Sequence, residues 1–129
     1  MQSASYDRAQ RMALAADEAG ALDIKILAIG DLLPVCDYFL ICHSRSPLHS
    51  TAICDKIEER MHEEKLHPHH REGNNTGEWV ILDFLDVVVH VFSETAREFY
   101  GLERLWSDAA VVPLELVTPH VETGLTGGF

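Results

Sequence analysis

Residues 78–106 constrain the fold most, because two strand patterns and a helix pattern follow one another there without a break. The first pattern alternates, so that Trp79 and Ile81 share one face and their neighbours share the other. A polar break at Asp83 predicts a tight reversal, and the valine-rich residues 86–92 predict the second strand. Both faces of this strand pair are largely apolar, so we expect the sheet to be covered on both sides.

A helix pattern follows the second of these strands. Its start can be capped by Ser93 or by Thr95, because either hydroxyl can accept a backbone N–H of the first turn. Tyr100 lies off the apolar stripe, so we expect it to be free to contact a partner. The residues predicted to share the apolar stripe of this helix are Phe99, Leu102 and Trp106.

The remaining sequence predicts a mixed sheet flanked by helices. Ser46 followed by Pro47 is a strong helix start, because proline fits the first helical position. Pro68 places its strand at the edge of the sheet. The elements predicted before residue 78 are a helix at 5–19, capped by Ser5 and ended by Gly20, strands at 24–29, 38–42 and 66–71, and a helix from Ser46. The resulting order, α-β-β-α-β-β-β-α, predicts an α/β fold class with a mixed, α+β type of sheet.

Length and charge limit the domain organisation and the class of partner. The 129 residues suffice for one domain with a buried core. We expect residues 1–108 to form it and residues 109–129 to be a mobile or loosely packed tail, with at most a short strand at Val111–Val117. The formal net charge of −11 opposes binding to a phosphate backbone. We therefore expect little direct RNA contact and a basic protein as partner.

Apolar runs and cysteine usage bear on the cellular compartment. No apolar run approaches the roughly 20 residues that span a bilayer, and no secretory signal is visible at the N-terminus. The three cysteines, Cys36, Cys42 and Cys54, cannot all pair with one another and are typical of reduced thiols. The sequence therefore predicts a cytoplasmic protein without a membrane partner.

Candidate catalytic and metal-binding groups are few. Cys42 lies within an apolar strand pattern, which favours a buried thiol over a nucleophile. His67 and His69 would share one face of a strand, but two imidazoles without a third ligand make a poor zinc site. His90 is either a hydrogen-bonded structural residue or a residue that orients a neighbouring carboxylate or faces a partner. We therefore expect no catalytic residue, no metal and no cofactor, and a binding protein rather than an enzyme.

Four segments match a known family in order and spacing. They are DYFLICHS at 37–44, REGNNTGEWVILDF at 71–84, DVVVHVF at 86–92 and AREFYGLERLW at 96–106. Through them, residues 5–108 closely resemble the ribosomal silencing factor family, also called the Iojap family. One departure is Leu85, which stands where the family usually has glycine, a residue that tolerates positive φ as leucine does not.

The resemblance implies both a fold and a function. It implies a small α/β protein whose core is similar to that of nucleotidyltransferases but lacks their catalytic residues. It further implies that the protein binds the large ribosomal subunit through large-subunit ribosomal protein fourteen. Bound there, it would sterically block joining of the small subunit and repress translation in slow growth or starvation.

The alternative function is a nucleotidyltransferase acting on a nucleoside triphosphate. Such an enzyme needs a glycine-serine turn and clustered carboxylates that hold Mg²⁺. The segment after the second strand, HSRSPLHS, has no glycine and no acidic pair. Asp83 and Asp86 bracket a turn, where aspartate is common for local hydrogen bonding.

The predicted partner-binding surface follows from the aromatic residues of the 78–106 stretch. Tryptophan, tyrosine and arginine are the usual anchors of protein interfaces, although large aromatics also fill cores. The same apolar surface can also pair two copies as a homodimer. The predicted binding residues are Trp79, Tyr100 and Leu105 at the centre, Glu78, Asp83, Arg97 and Glu103 as a polar rim, and His90 and Trp106 beside them.

Overall fold

The computed structural model describes residues 3–34, 36–73 and 76–115. The predicted order of helices and strands is confirmed, and a one-turn helix and a sixth strand follow it. The elements are α1 (Ala4–Glu18), β1 (Leu22–Ala28), β2 (Tyr38–Ser44), α2 (Pro47–His62), β3 (His70–Gly73), β4 (Trp79–Asp83), β5 (Val87–Ser93), α3 (Glu94–Tyr100), α4 (Leu102–Leu105) and β6 (Ala110–Val112).

The six strands of the described residues form one mixed sheet in the order β3-β4-β5-β2-β1-β6. The central pair, β2 and β5, runs parallel, and its register places Ile41 beside His90. The other neighbouring strands are antiparallel. The parallel pair requires a long connection, which α2, β3 and β4 provide, whereas the antiparallel pair β4–β5 is joined by a tight turn.

The two faces of the sheet have different covers. The long helices α1 and α2 pack on the first face, where strand residues such as Leu40 and Leu82 are fully buried. The second face is covered by the shorter α3, by α4 and by the segment after β1, and it holds a smaller core. The buried residues of this second core are Leu27, Ile29, Cys36, Phe39, Ile41, Phe92, Ala96 and Ala109.

Both long helices begin at a serine cap, and the sequence predicted one of the two caps correctly. Ser46 caps α2 by accepting the backbone N–H of His49 at 3.0 Å, and Pro47 occupies the first turn as expected. The start of α1 was placed wrongly, because Ser3 rather than Ser5 is the cap and accepts the N–H of Tyr6 at 3.1 Å. The predicted strand 66–71 was also misplaced, since β3 begins at His70.

The turn between β4 and β5 keeps a conformation suited to glycine. Leu85 has φ of +76°, in the left-handed region, and its side chain is largely exposed. The Asp83 carboxylate accepts the Leu85 N–H at 2.8 Å, and the backbone of Phe84 bonds that of Val87 at 3.0 Å. Leu85 therefore occupies the geometry that a glycine would adopt without strain.

The last described strand extends the sheet beyond β1. In β6, Ala110 pairs with Ala28 and Val112 with Ile26. The strand expected at Val111–Val117 thus begins one residue earlier, and its residues 116 and 117 lie outside the described residues. The division into 1–108 and 109–129 stays a prediction.

Within the described ranges, no helix is long and apolar enough to cross a membrane.

Candidate partner-binding surface

Three aromatic side chains, Trp79, Phe99 and Tyr100, lie together on the second face of the sheet, and we call them the aromatic surface. The ring centroids of Trp79 and Tyr100 are 4.7 Å apart, and those of Phe99 and Tyr100 are 5.1 Å apart with the rings edge to face. Phe99 is 78% exposed and Tyr100 is 49% exposed, while Trp79 is half-buried. Exposed, mutually packed aromatic rings of this kind are typical anchors of protein interfaces.

A layer of buried aromatic residues packs between the aromatic surface and the sheet. Phe92 is fully buried, and its ring centroid lies 4.8 Å from that of Trp79. Phe39 lies in the same core, with its ring 4.7 Å from His90 and 6.0 Å from Trp106. Trp106 is therefore partly a core residue, whereas Trp79 belongs both to the core and to the surface.

His90 is the polar member of the buried layer. It is 6% exposed, and its Nδ1 accepts the indole N–H of Trp79 at 3.2 Å. Burial lowers the pKa of His90 from its usual 6.5 to about 4, because the charged imidazolium loses its hydration. His90 is therefore a neutral, hydrogen-bonded histidine near neutral pH, one of the two interpretations that the sequence allowed.

The break between α3 and α4 explains why Phe99 is exposed. Ser93 caps α3 by accepting the N–H of Ala96 at 3.1 Å, and Gly101 ends the helix with φ of +57°. The chain changes direction there before α4 begins. The prediction that Phe99, Leu102 and Trp106 share one stripe was therefore wrong, because only Leu102 and Trp106 pack against the second core.

Arg97 holds α3 to the sheet through a network of hydrogen bonds. The side chain is nearly buried, and its guanidinium donates to both carboxylate oxygens of Glu103, at 2.9 and 3.1 Å. It also donates to the backbone oxygen of Asp23 at 2.6 Å and to Nδ1 of His43 at 2.9 Å. The hydrogen bond from Arg97 lowers the pKa of Glu103, and burial lowers the pKa of His43.

This network brings together residues from distant parts of the sequence. Asp23 has φ of +47° and lies where the pairing of β1 with β2 shifts register. Arg97 bonds this irregular backbone and thereby joins α3 and α4 to β1 and β2. The network holds α3, the helix that carries Phe99 and Tyr100. Arg97 therefore helps to position the aromatic surface without being part of it.

The remaining predicted residues are spread around the surface. Glu78 is exposed and immediately precedes Trp79. Leu105 is exposed on α4. Asp83 lies at the opposite end of β4, where its carboxylate stabilises the turn. The structure therefore brings Trp79, His90 and Tyr100 together, pairs Arg97 with Glu103, and leaves Asp83 apart.

One contributor to the surface, Phe99, was missing from the predicted binding set. Its exposure depends on the helix break at Gly101, and a glycine within an otherwise helical pattern is a signal that could have indicated it. Arg97 contacts Asp23 and His43, which lie 74 and 54 residues away in the chain. The sequence around Arg97 therefore could not indicate these contacts.

Nucleophilic and metal chemistry find little support in the described residues. Burial raises the pKa of Cys42 and of Cys54 to about 12, and that of Cys36 to about 11, so these thiols are protonated near neutral pH. Within residues 3–34, 36–73 and 76–115, no group of three or more His, Cys, Asp or Glu side chains is arranged to hold a metal ion.

A small mixed-sheet domain with an exposed cluster of aromatic rings has the features of a binding protein. Comparison with known families makes the class specific. The family model described as "Ribosomal silencing factor during starvation" matches residues 2–125. The chain belongs to the ribosomal silencing factor family, as the four matching segments predicted.

Individual relatives and solved structures agree with this assignment. Ribosomal silencing factor RsfS of Bacillus subtilis is 40% identical over 103 residues, which cover 80% of this chain and 87% of the relative. The chloroplastic protein Iojap of Zea mays is 33% identical over 105 residues, which cover 81% of this chain and 45% of that protein. A crystal structure of a Bacillus halodurans protein is similar with a TM-score of 0.74 and 32% identity, covering 84% of this chain and 99% of that one.

Proposed function

We propose that this protein silences ribosomes by binding the large ribosomal subunit through large-subunit ribosomal protein fourteen. Bound there, it sterically blocks joining of the small subunit and represses translation in slow growth or starvation. Membership of the ribosomal silencing factor family supports the general function. The aromatic surface is the single structural observation that supports a binding mechanism, because it offers anchors for a protein partner.

The physical basis of binding is removal of the aromatic surface from water. Phe99 and Tyr100 are the exposed members of the aromatic surface, and Trp79 lies against Tyr100. Interface energy concentrates in such packed aromatic residues, while surrounding contacts mainly exclude water. Occlusion then needs no reaction, only an affinity that competes with subunit association.

The charges around the aromatic surface favour a basic partner. Glu94 and Glu98 are exposed on α3, and Glu78 is exposed immediately before β4. Together with the net charge of −11, they provide the complement to a basic ribosomal protein and oppose contact with ribosomal RNA. Opposite charges of this kind increase the rate of encounter and fix orientation more than they add affinity.

The arrangement below the surface supports tight binding. Arg97 fixes α3 against β1 and β2, and Phe92 supports the Trp79 ring from the core. A surface that is already ordered loses less conformational entropy on binding. We place this activity in the cytoplasm, where three free thiols are stable, and we infer that two copies can associate through the same surface.

The test is co-sedimentation of the purified protein with large ribosomal subunits, followed by addition of small subunits. We expect binding together with a loss of joined ribosomes. Trp79→Ala and Tyr100→Ala should each weaken binding by roughly tenfold or more, the effect of losing an interface anchor. Leu48→Ala is the matched control, because Leu48 is exposed on α2, on the opposite side of the sheet.

Two results would contradict the proposal. Absence of binding at micromolar protein would refute the ribosomal function itself. Binding that the Trp79 and Tyr100 variants leave unchanged would instead show that another surface is used. Cross-linking of the bound protein to large-subunit ribosomal protein fourteen would test the proposed contact directly, and cross-links solely to other ribosomal components would exclude it.

A further inference from the structure

The hydrogen bond between Trp79 and His90 fixes the orientation of the indole ring and the tautomer of the neutral imidazole. The Trp79 indole N–H donates to Nδ1 of His90 at 3.2 Å. Because Nδ1 is an acceptor, the proton of the neutral imidazole is on Nε2. Nε2 is buried and has no hydrogen-bond partner among the residues that the structure describes.

Packing alone does not explain a histidine at this position. The imidazole is surrounded by the rings of Phe39, Trp79 and Phe92, whose centroids lie 4.7, 6.0 and 6.3 Å away. A phenylalanine at position 90 would suit these neighbours and would avoid the buried, unpaired Nε2–H of the histidine, which is destabilising. The feature that phenylalanine lacks is the acceptor for the Trp79 indole.

We propose that His90 is a positioning residue, which anchors Trp79 by its indole N–H and thereby sets the binding geometry of the aromatic surface. This inference rests on the proposed function. His90 itself is buried and does not contact the partner. It acts through Trp79, the half-buried ring that connects the core to the exposed Tyr100.

Anchoring has two consequences for recognition. The Trp79 ring is held against Phe92 and Tyr100 before the partner arrives, so less rotamer freedom is lost on binding. In addition, the indole N–H is already used within the protein. The partner group that meets Trp79 is therefore an apolar side chain or a Lys or Arg lying on the ring face, and not a hydrogen-bond acceptor for the indole.

The first test is the indole region of a ¹H–¹⁵N NMR spectrum of the free protein. The chain has two tryptophans, so Trp106 provides an internal reference. His90→Phe removes the acceptor and keeps a planar aromatic ring, whereas His90→Asn keeps an acceptor near the position of Nδ1. We expect His90→Phe to shift the Trp79 indole signal strongly and the Trp106 signal weakly, with a smaller Trp79 shift in His90→Asn. An unshifted Trp79 signal in His90→Phe would refute the anchor.

The second test is the affinity of the same variants for large ribosomal subunits. His90→Phe should weaken binding about two- to tenfold, the range of one net hydrogen bond, at a temperature where the variant is folded. His90→Asn should bind more tightly than His90→Phe. In a Trp79→Phe background, which has no indole N–H, His90→Phe should cause no further loss. An equal loss in both backgrounds would show that His90 does not act through Trp79.

The outcomes separate this inference from the proposed function. If Trp79→Ala and Tyr100→Ala weaken binding but His90→Phe does not, the positioning role is wrong and the surface stands. If none of the three weakens binding, the surface itself is wrong. Should His90→Phe fail to fold, Trp79→Phe removes the same hydrogen bond from the donor side, and unchanged affinity in that variant would refute the positioning role.

Discussion

Replacing Arg97 by alanine tests the network that holds α3 to the sheet. Arg97 is 7% exposed, so the substitution removes one partner of a nearly buried ion pair and leaves the Asp23 carbonyl without its donor. Breaking a fully buried pair costs about 3–5 kcal/mol. The Glu103 side chain is 26% exposed and keeps Lys25 at 3.2 Å, which reduces the loss. We expect the free energy of unfolding to fall by about 2–3 kcal/mol.

Urea and thermal unfolding measure this loss directly. For a chain of this length, about 2–3 kcal/mol corresponds to a decrease in Tm of roughly 8–12 °C. Arg97→Lys keeps the charge but not the forked geometry, so it should retain about half of the stability. Arg104→Ala, on the neighbouring α4, is the matched control, because Arg104 is exposed; its effect should stay within about 0.5 kcal/mol.

The reasoning also predicts an effect on function. Loosening α3 moves Phe99 and Tyr100, so Arg97→Ala should bind large ribosomal subunits more weakly even at temperatures where it is folded. A stability within about 0.5 kcal/mol of the natural protein would refute the role of the network in folding. Natural affinity in a destabilised variant would refute its role in ordering the surface.

Three further predictions concern the turn, the histidines and the cysteines. Leu85→Gly relieves the left-handed strain and Leu85→Val increases it, so urea unfolding should show glycine more stable than valine by at least about 1 kcal/mol; equal stabilities would contradict the strained turn. The pKa of His90, near 4, and that of His43 both lie below 6.5 in the folded protein. As the pH falls below about 6.5, both histidines become protonated in the unfolded chain before they do so in the folded protein. The free energy of unfolding therefore decreases between about pH 6.5 and pH 4, and His90 accounts for about 3 kcal/mol of this decrease. Urea titrations across this range should show a flatter pH dependence for His90→Phe, and an unchanged slope would count against a buried neutral imidazole. Because burial raises the pKa of Cys42 and Cys54 to about 12, maleimide labelling followed by mass spectrometry should modify them far more slowly in the native protein than in urea, and similar rates in both would refute their burial.

Local patterns in the sequence predicted those parts of the fold that depend on neighbouring residues. The cap at Ser46 and the alternation of Trp79 with Val80 were recognisable because each involves contacts within a few positions. The mixed sheet followed from the order of the elements. The resemblance of residues 5–108 to a family supplied the function, which no single residue indicates.

The parts that were missed depend on tertiary contacts. Arg97 looked like a surface residue, because nothing near it in sequence shows that Asp23 and His43 fold against it. Phe99 appeared to continue a stripe, because helical periodicity ignores a change of direction at a left-handed glycine such as Gly101. Exposure of large side chains is set by what packs over them, and this is decided far along the chain.

The two edges of the sheet limit how a molecule with exposed aromatic rings can associate with other chains. One edge strand, β3, is four residues long and exposed, and its Arg71 is paired with Asp55 and Glu58 of α2, at 3.0 and 2.5 Å. The other, β6, is three residues long and is followed by Pro113, which has no N–H to donate. Short, charged or proline-limited edges resist the addition of further strands. The protein can therefore expose aromatic rings on one face of the sheet, while the edge strands oppose strand-by-strand assembly into open-ended aggregates.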